Sequence, residues 1–248
     1  PGSAGDNARA NGMTAVEEAL ELEIISIADQ AGRLTEPFTM IDLASIDDLV
    51  LSVFLCQGTL PRHRHLDQDE LFLVHSGTIS LESDWGTAIL RPGEMAVAPK
   101  GVGHRSSSLL NSQVLLLQPR LMVNRRNGNR RIFALKEEKS LEKVNVLAVG
   151  RQIVVPFRPV VLADLDTFAV WLTLCEGVGP WQQTDLQDSL VFCHDGKLTL
   201  ETEHGQGDLE SGELVIVPKG TAFRLSSEAQ SLVLGLRRHQ QPGLPLPD

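Results

Sequence analysis

This sequence predicts an all-β protein of two tandem domains that share one fold, and two observations carry that expectation. Residues 22–119 align without a gap onto residues 141–238 at a constant offset of 119, with about a third of the positions identical. Each half breaks into apolar, β-branched runs of four to seven residues punctuated by glycine and proline, with no long helical period between them. Short strands so spaced form an antiparallel sandwich or barrel rather than a parallel sheet with crossover helices.

Taken in order, residues 1–21 are expected to be a flexible N-terminus with a short helix: residues 1–12 hold almost nothing that could form a core, Pro1-Gly2-Ser3 reads as the remnant of a tag, Met13 as the native start and TAVEEALELE as the helix. Residues 22–131 are expected to form the N-terminal barrel with its connector, and 132–240 the C-terminal barrel. LVLSVFL, ELFLVHS, TISLES, EMAVAP and VLLLQ are the strand candidates of the first half. LASIDDLVLSVFLCQG falls on LADLDTFAVWLTLCEG, and RPGEMAVAPKGVGHRSSS on ESGELVIVPKGTAFRLSS, so the second half should repeat those strands. The five arginines of RLMVNRRNGNRR (120–131) are expected on a solvated loop, with an anion-binding lip as the sharper alternative. Residues 241–248 are proline-rich and should be an extended tail.

Composition narrows the function classes. A formal charge of −10 opposes binding a polyanion such as nucleic acid through the general surface field. No apolar run approaches the roughly 18–20 residues of a membrane helix, and no charged-then-apolar leader pattern opens the chain, so a cytoplasmic location is expected. Cys56, Cys175 and Cys193 are too few and too dispersed for a disulfide framework or a zinc knuckle, and should be buried free thiols. A small molecule is the expected partner.

The chemistry concentrates in PRHRHLDQDELFLVHSG, residues 61–77. In an extended strand His63 and His65 face one way while Arg62 and Arg64 face the other. LDQD can turn the chain, and Glu70 then opens a strand on which Phe72 and Val74 share its face, while Leu71, Leu73 and His75 take the opposite one. His75 is left out of the site on that parity, and its counterpart His194 persists in the half that lacks the trio. Downstream, Gly93, Pro99, Gly101 and His104 mark a strand and turn that deliver one more imidazole. Imidazoles and a carboxylate converging inside a barrel are costly to bury without a shared partner, and a divalent metal would satisfy them together.

Gly58, His63, His65, Glu70 and Gly77, followed by Gly93, Pro99, Gly101 and His104, resemble the two signature motifs of the cupin superfamily. The first motif is one residue shorter after its opening glycine than the commonest form, and Ser108 stands where the second often has asparagine. The N-terminal half is also similar to small cupins described as mannose-6-phosphate-isomerase-like, a label of fold kinship rather than activity. The resemblance implies a bicupin: two jelly-roll (double-stranded β-helix) barrels, with His63, His65, Glu70 and His104 holding one divalent transition metal (Fe2+, Mn2+, Zn2+ or Ni2+). Phe54, Phe72, Val74 and Met95 are expected to line a substrate pocket beside it.

At the same offset of 119 the ligand positions become Gln182, Thr184, Ser189 and Phe223, so no metal is expected in the second barrel. Its turn residues Gly177, Pro180, Gly196, Gly212, Pro218 and Gly220 are kept. The second barrel is read as a fused packing partner, giving a monomer with an internal pseudo-dimer or a homodimer; a second pocket at Trp181, Gln182 and Phe223 is the weaker alternative. The implied activity is metal-dependent chemistry on a small organic molecule, leaning to an iron(II)-type dioxygenase. A redox-neutral isomerase, cyclase or lyase is the second reading, and a non-catalytic binding module the third. The chain has no tyrosine, which removes a phenolic acid or base from the second.

Overall fold

Segments rich in leucine and β-branched residues, punctuated by turn residues, form strands throughout a computed structural model that describes residues 22–120, 125–127 and 140–239. The first half contributes β1 (Ile25–Ser26), helix α1 (Ile27–Ala31), β2 (Met40–Ile46), β3 (Leu49–Thr59), β4 (His63–His65), β5 (Glu70–Ser76), β6 (Ile79–Ser83), β7 (Gly86–Leu90), β8 (Glu94–Ala98) and β9 (His104–Pro119). After β10 (Arg125–Asn127), the second half supplies β11 (Lys143–Asn145), helix α2 (Val146–Gly150), β12 (Val160–Leu165), β13 (Phe168–Val178), β14 (Ser189–Asp195), β15 (Lys197–Thr202), β16 (Gly205–Glu210), β17 (Glu213–Val217) and β18 (Phe223–Arg238). The expected helix in TAVEEALELE lies outside the described residues except for Leu22 and Glu23, which have no regular structure. The C-terminal tail and the side chains of 121–139 also lie outside them.

The duplication extends to backbone conformation. Phe38 and Asp47 take left-handed φ values of 58° and 53°, and Phe157 and Asp166, 119 residues on, take 58° and 51°. Such φ values are uncommon for residues with a Cβ, so their recurrence at one offset marks a shared chain path. One glycine pair shows why that path constrains sequence. At Gly77 (φ 82°) a Cβ would lie 2.3 Å from Ser112 Oγ, and at Gly196 (φ 93°) 2.3 Å from Ser231 Oγ. Both halves thus need a residue without a side chain where a hairpin crosses the long last strand. Ser108 Oγ donates to Thr78 O at 2.7 Å and Ser227 Oγ to Lys197 O at 2.6 Å. The serine at the variant motif position is therefore part of this shared hairpin support.

Each half is one antiparallel sheet gathered around a long final strand: β9 pairs with β3, β4, β5 and β6, and β18 with β13, β14 and β15. The two sheets exchange strands. β1 pairs with β17 of the second barrel, and β11 with β8 of the first. Strand alternation then divides the core into three parts. Phe54, Phe72, Val74, Leu81 and Leu116 fill the first barrel, while Val191, Leu200, Val215, Phe223 and Leu225 fill the second. Between the barrels, Leu51, Leu71, Leu73 and Leu115 meet Val170, Leu172, Phe192 and Leu234 in one continuous cluster. Burying a side chain of this kind contributes about 1.5–3 kcal/mol, so the barrels are joined by a hydrophobic core rather than by a linker alone. No helix among the described residues is long and apolar enough to cross a membrane.

Candidate metal centre

His63 and His65 alternate inward on the three-residue strand β4, which runs between β9 and β10. His63 stands directly opposite His104 in the β4–β9 register. Glu70 begins β5 and is carried inward with Phe72 and Val74, as its parity requires. The four side chains are 4%, 2%, 3% and 1% exposed for His63, His65, Glu70 and His104, and one ligand atom from each lies within 4.8 Å of all the others. Among the described residues this is the cluster of at least three His, Cys, Asp or Glu with the spacing to hold an ion.

Two imidazoles are fixed by the chain itself. His63 Nδ1 lies 2.9 Å from Pro61 O and His104 Nδ1 3.0 Å from Val102 O. With Nδ1–H donated to a carbonyl two residues back, Nε2 is the nitrogen each ring provides to a cation. His104 Nε2 is 2.7 Å from Glu70 Oε2. His65 Nε2 is 3.2 Å from the same oxygen, yet neither ring nitrogen of His65 has a hydrogen-bond partner, so the approach is close but misaligned. Burial raises the Glu70 pKa, but the hydrogen bond from His104 and the close approach of His65 outweigh it and hold the carboxyl down to about 2.

Orphaned imidazole nitrogens in a dry interior cost about 1–3 kcal/mol. A carboxylate facing two ring nitrogens also needs positive charge between them. Three nitrogens and one carboxylate oxygen suit iron, manganese, zinc, nickel or cobalt in the divalent state. The residues present therefore fit a transition metal ion.

A cavity of about 100 Å³ opens beside the cluster, lined by His63, His65 and Glu70 together with Phe38, Met40, Phe54, Leu60, Phe72, Ser106, Leu116 and Gln118. Of the expected lining, Phe54 and Phe72 are there, their rings 6.4 Å apart and edge to face. Val74 packs deeper in the same interior and does not line the cavity. Met95 is a correction. It points out of the barrel into the inter-barrel cluster, because on β8 the inward positions belong to Ala96 and Ala98. It borders a separate open groove of about 620 Å³ between the barrels that holds none of the four convergent side chains. Sequence parity missed Ser106 and Gln118; the signal was there, since both alternate inward on β9 with His104 and Leu116.

His75 lies outside this cavity, in a groove beside His194. In the second barrel the backbone register is preserved, with Gln182 bridged to Phe223 as His63 is to His104. The side chains there satisfy one another: Thr184 Oγ1 donates to Gln187 O at 2.6 Å and lies 3.0 Å from Ser189 Oγ. Trp181 is half exposed under Arg224 while Phe223 is buried in the apolar interior, so those residues do not gather into one pocket. Of the arginine-rich connector, the described backbone of residues 125–127 pairs along β4, placing it beside the strand that carries two of the imidazoles.

Residues 52–117, which span β3 to most of β9, match the family model described as "Cupin domain". The first barrel is a cupin domain. The second repeats the cupin fold on the same backbone path. An uncharacterized protein of Bacillus subtilis (strain 168), YdbB, is 27% identical over 89 residues, which is 36% of this chain and 79% of that protein. Among solved structures, a cupin 2 conserved barrel domain protein from Leptotrichia buccalis superposes with a TM-score of 0.66 at 9% identity, covering 88% of this chain and 98% of its own. A salicylate 1,2-dioxygenase from Pseudaminobacter salicylatoxidans, also solved as an adduct with gentisate, gives 0.67 at 10% identity over 87% of this chain and 84% of its own. At such identities the likeness is one of cupin fold.

Proposed function

We propose that His63, His65, Glu70 and His104 hold one divalent transition metal in the first barrel only, and that the protein is a metal-dependent enzyme acting on a small organic molecule as a dioxygenase. The observation that carries this reading is the convergence of four buried donor atoms within 4.8 Å around an imidazole whose two nitrogens have no hydrogen-bond partner. A bound ion would supply Lewis acidity and, if redox-active, electrons for dioxygen chemistry.

The chain's own residues do the rest. Pro61 O and Val102 O orient two of the rings, and Phe54, Phe72 and Leu116 give the adjoining cavity an apolar wall. Apart from the convergent ligands, that cavity has no carboxylate, histidine, lysine or cysteine among its described lining residues. An isomerase or lyase would have to use Glu70 released from the ion to move a proton, whereas a dioxygenase needs no such group; this favours the oxygenase. Likeness of fold to a dioxygenase supports the same direction.

Elemental analysis of protein purified without chelators tests the site: one equivalent of transition metal is expected, and none in His63→Ala. Two equivalents would contradict the asymmetry between the barrels. Anaerobic iron(II)-loaded protein exposed to nitric oxide, a dioxygen surrogate, should give the electron paramagnetic resonance signal of a nitrosylated iron. A silent spectrum would count against dioxygen chemistry.

A further inference from the structure

The cavity has a polar side that the four convergent ligands do not explain. Ser106 stands two residues beyond His104 on the inward face of β9, and Gln118 lies near the end of the same strand. Both line the cavity. Ser106 is 1% exposed and Gln118 8%; Gln118 Oε1 has no hydrogen-bond partner, and Ser106 Oγ has none better than the Cys56 thiol. The Cys56 thiol is a neighbour of Ser106, but a thiol is a weak donor and acceptor and does not satisfy a buried hydroxyl.

An unpaired polar atom in a dry interior lowers stability, so it persists where something else compensates. The duplication supplies the control. In the second barrel the counterpart of Ser106 is Leu225, buried in an all-apolar core. The counterpart of Gln118 is Arg237, which is exposed and sets its guanidinium 5.4 Å over Trp171. The fold therefore does not require a hydroxyl or an amide at either place. Both polar residues occur in the half that has the ligand cluster and are absent from the half that lacks it.

What such a pair could hold follows from the rest of the wall. Phe38, Met40, Phe54, Leu60, Phe72 and Leu116 are apolar, and no lysine or arginine is among the described lining residues. That wall disfavours phosphate and carboxylate groups away from the metal. A closed cavity of about 150 Å³ accommodates benzene; this one is about 100 Å³ and open on one side, so a single small ring can enter with an edge left outside, and nothing bulkier fits against the ligand cluster. Gln118 Oε1 is an acceptor, which calls for a hydroxyl or N–H on the ligand, while Ser106 can donate or accept.

We propose that Ser106 and Gln118 determine the specificity of this cavity, orienting an uncharged, hydroxyl-bearing molecule no larger than one aromatic ring against the ligand cluster. This rests on the metal-site reading given above. The test uses full-length protein loaded with cobalt(II), with catechol as the probe, read through the visible absorption of the ion. Benzoate and glucose 6-phosphate serve as anionic comparisons. Ser106→Ala and Gln118→Leu are expected to keep one equivalent of cobalt while raising the catechol dissociation constant at least tenfold. Their metal-free forms should unfold in urea at the wild-type midpoint or above it, because each variant removes an unpaired or weakly paired buried atom. A purely structural role would do the opposite, lowering the midpoint and leaving catechol binding unchanged, and would overturn the proposal. So would wild-type protein that binds cobalt but not catechol, or that prefers either anion. Failure of wild-type protein to take up cobalt would instead overturn the metal-site reading, and calorimetric titration of catechol would then decide whether the pair binds the ring alone.

Discussion

Replacing Asp166 tests whether the second barrel steadies the loop that delivers Glu70. Asp69 N donates to Asp166 Oδ2 at 2.9 Å, and Asp166 N donates to Asp69 Oδ2 at 2.9 Å, a reciprocal clamp between the barrels. Lys100 joins through its backbone N to Asp69 Oδ1 at 2.8 Å and through Nζ to Asp166 Oδ1 at 3.1 Å. The counterparts do not reproduce the clamp, since Asp47 engages Arg238 and Asp188 accepts from Lys219 N. In Asp166→Ala one hydrogen bond to a charged group is lost, about 1.5–3 kcal/mol. Alanine in the left-handed conformation at φ 51° adds roughly 1–2 kcal/mol. The exposed Lys100 pair contributes little. A loss of roughly 2–5 kcal/mol is expected from these terms, and much less in Asp166→Asn, which tolerates the backbone and keeps an acceptor oxygen. Urea unfolding followed by the fluorescence of Trp85, Trp171 and Trp181 measures it. If about 1.4 kcal/mol of the loss reaches the Glu70 loop, metal release to a chelator accelerates about tenfold. A stability loss of the expected size with unchanged metal release would refute the idea that the clamp serves the site.

Burial depresses the pKa of His75 and of His194, where the charge of His75 adds to the effect and Asp195 opposes it. The unfolded chain then binds protons first, so this stability is present above about pH 6.5 and is lost as pH falls below it; the unfolding midpoint should drop between about pH 7 and 5.5, and less so in His75→Gln/His194→Gln. Gly77→Ala should cost more than Gly58→Ala in equilibrium unfolding: both have φ 82°, but an added Cβ meets Ser112 at 2.3 Å in the first and nothing within 4 Å in the second. The left-handed backbone alone accounts for roughly 1–2 kcal/mol, so the excess measures the close approach. Burial raises Cys56 to about 11 and Cys175 and Cys193 to about 12, against a weak opposing hydrogen bond from Ser106 at Cys56 and with neighbouring negative charge adding to the rise for the other two. Native protein near neutral pH should therefore resist alkylation by iodoacetamide, with all three thiols labelled once urea unfolds it.

That His63 and His65 share a face, and Glu70 one with Phe72, was legible because strand parity is a local property: two residues apart means the same face wherever the strand goes; that Glu70 and His104 join the two imidazoles was implied by the resemblance to the cupin motifs. The same rule failed for Met95 only through a wrong starting phase, since nothing local says whether Met95 or Ala96 faces the barrel interior. Both faces of that strand are buried, one inside the barrel and one between the barrels, so apolar character did not distinguish them. Val74 had the right face but the wrong depth, because distance from the cavity depends on how far along the barrel axis a residue lies.

The sequence by itself determined the duplication and the strand content, because both depend on which residues recur at one offset, and it marked four candidate ligands by motif and their absence from the second half by the same offset. Only the tertiary structure decided that β1 and β11 change places between the sheets, and that Asp166 of the second barrel grips the loop before Glu70. It alone also placed Ser106 and Gln118 beside the cluster, Gln118 Oε1 without a partner and Ser106 Oγ with only the Cys56 thiol near it. Those are relations between segments far apart in the chain, fixed by how two buried sheet faces pack, and no local periodicity encodes them.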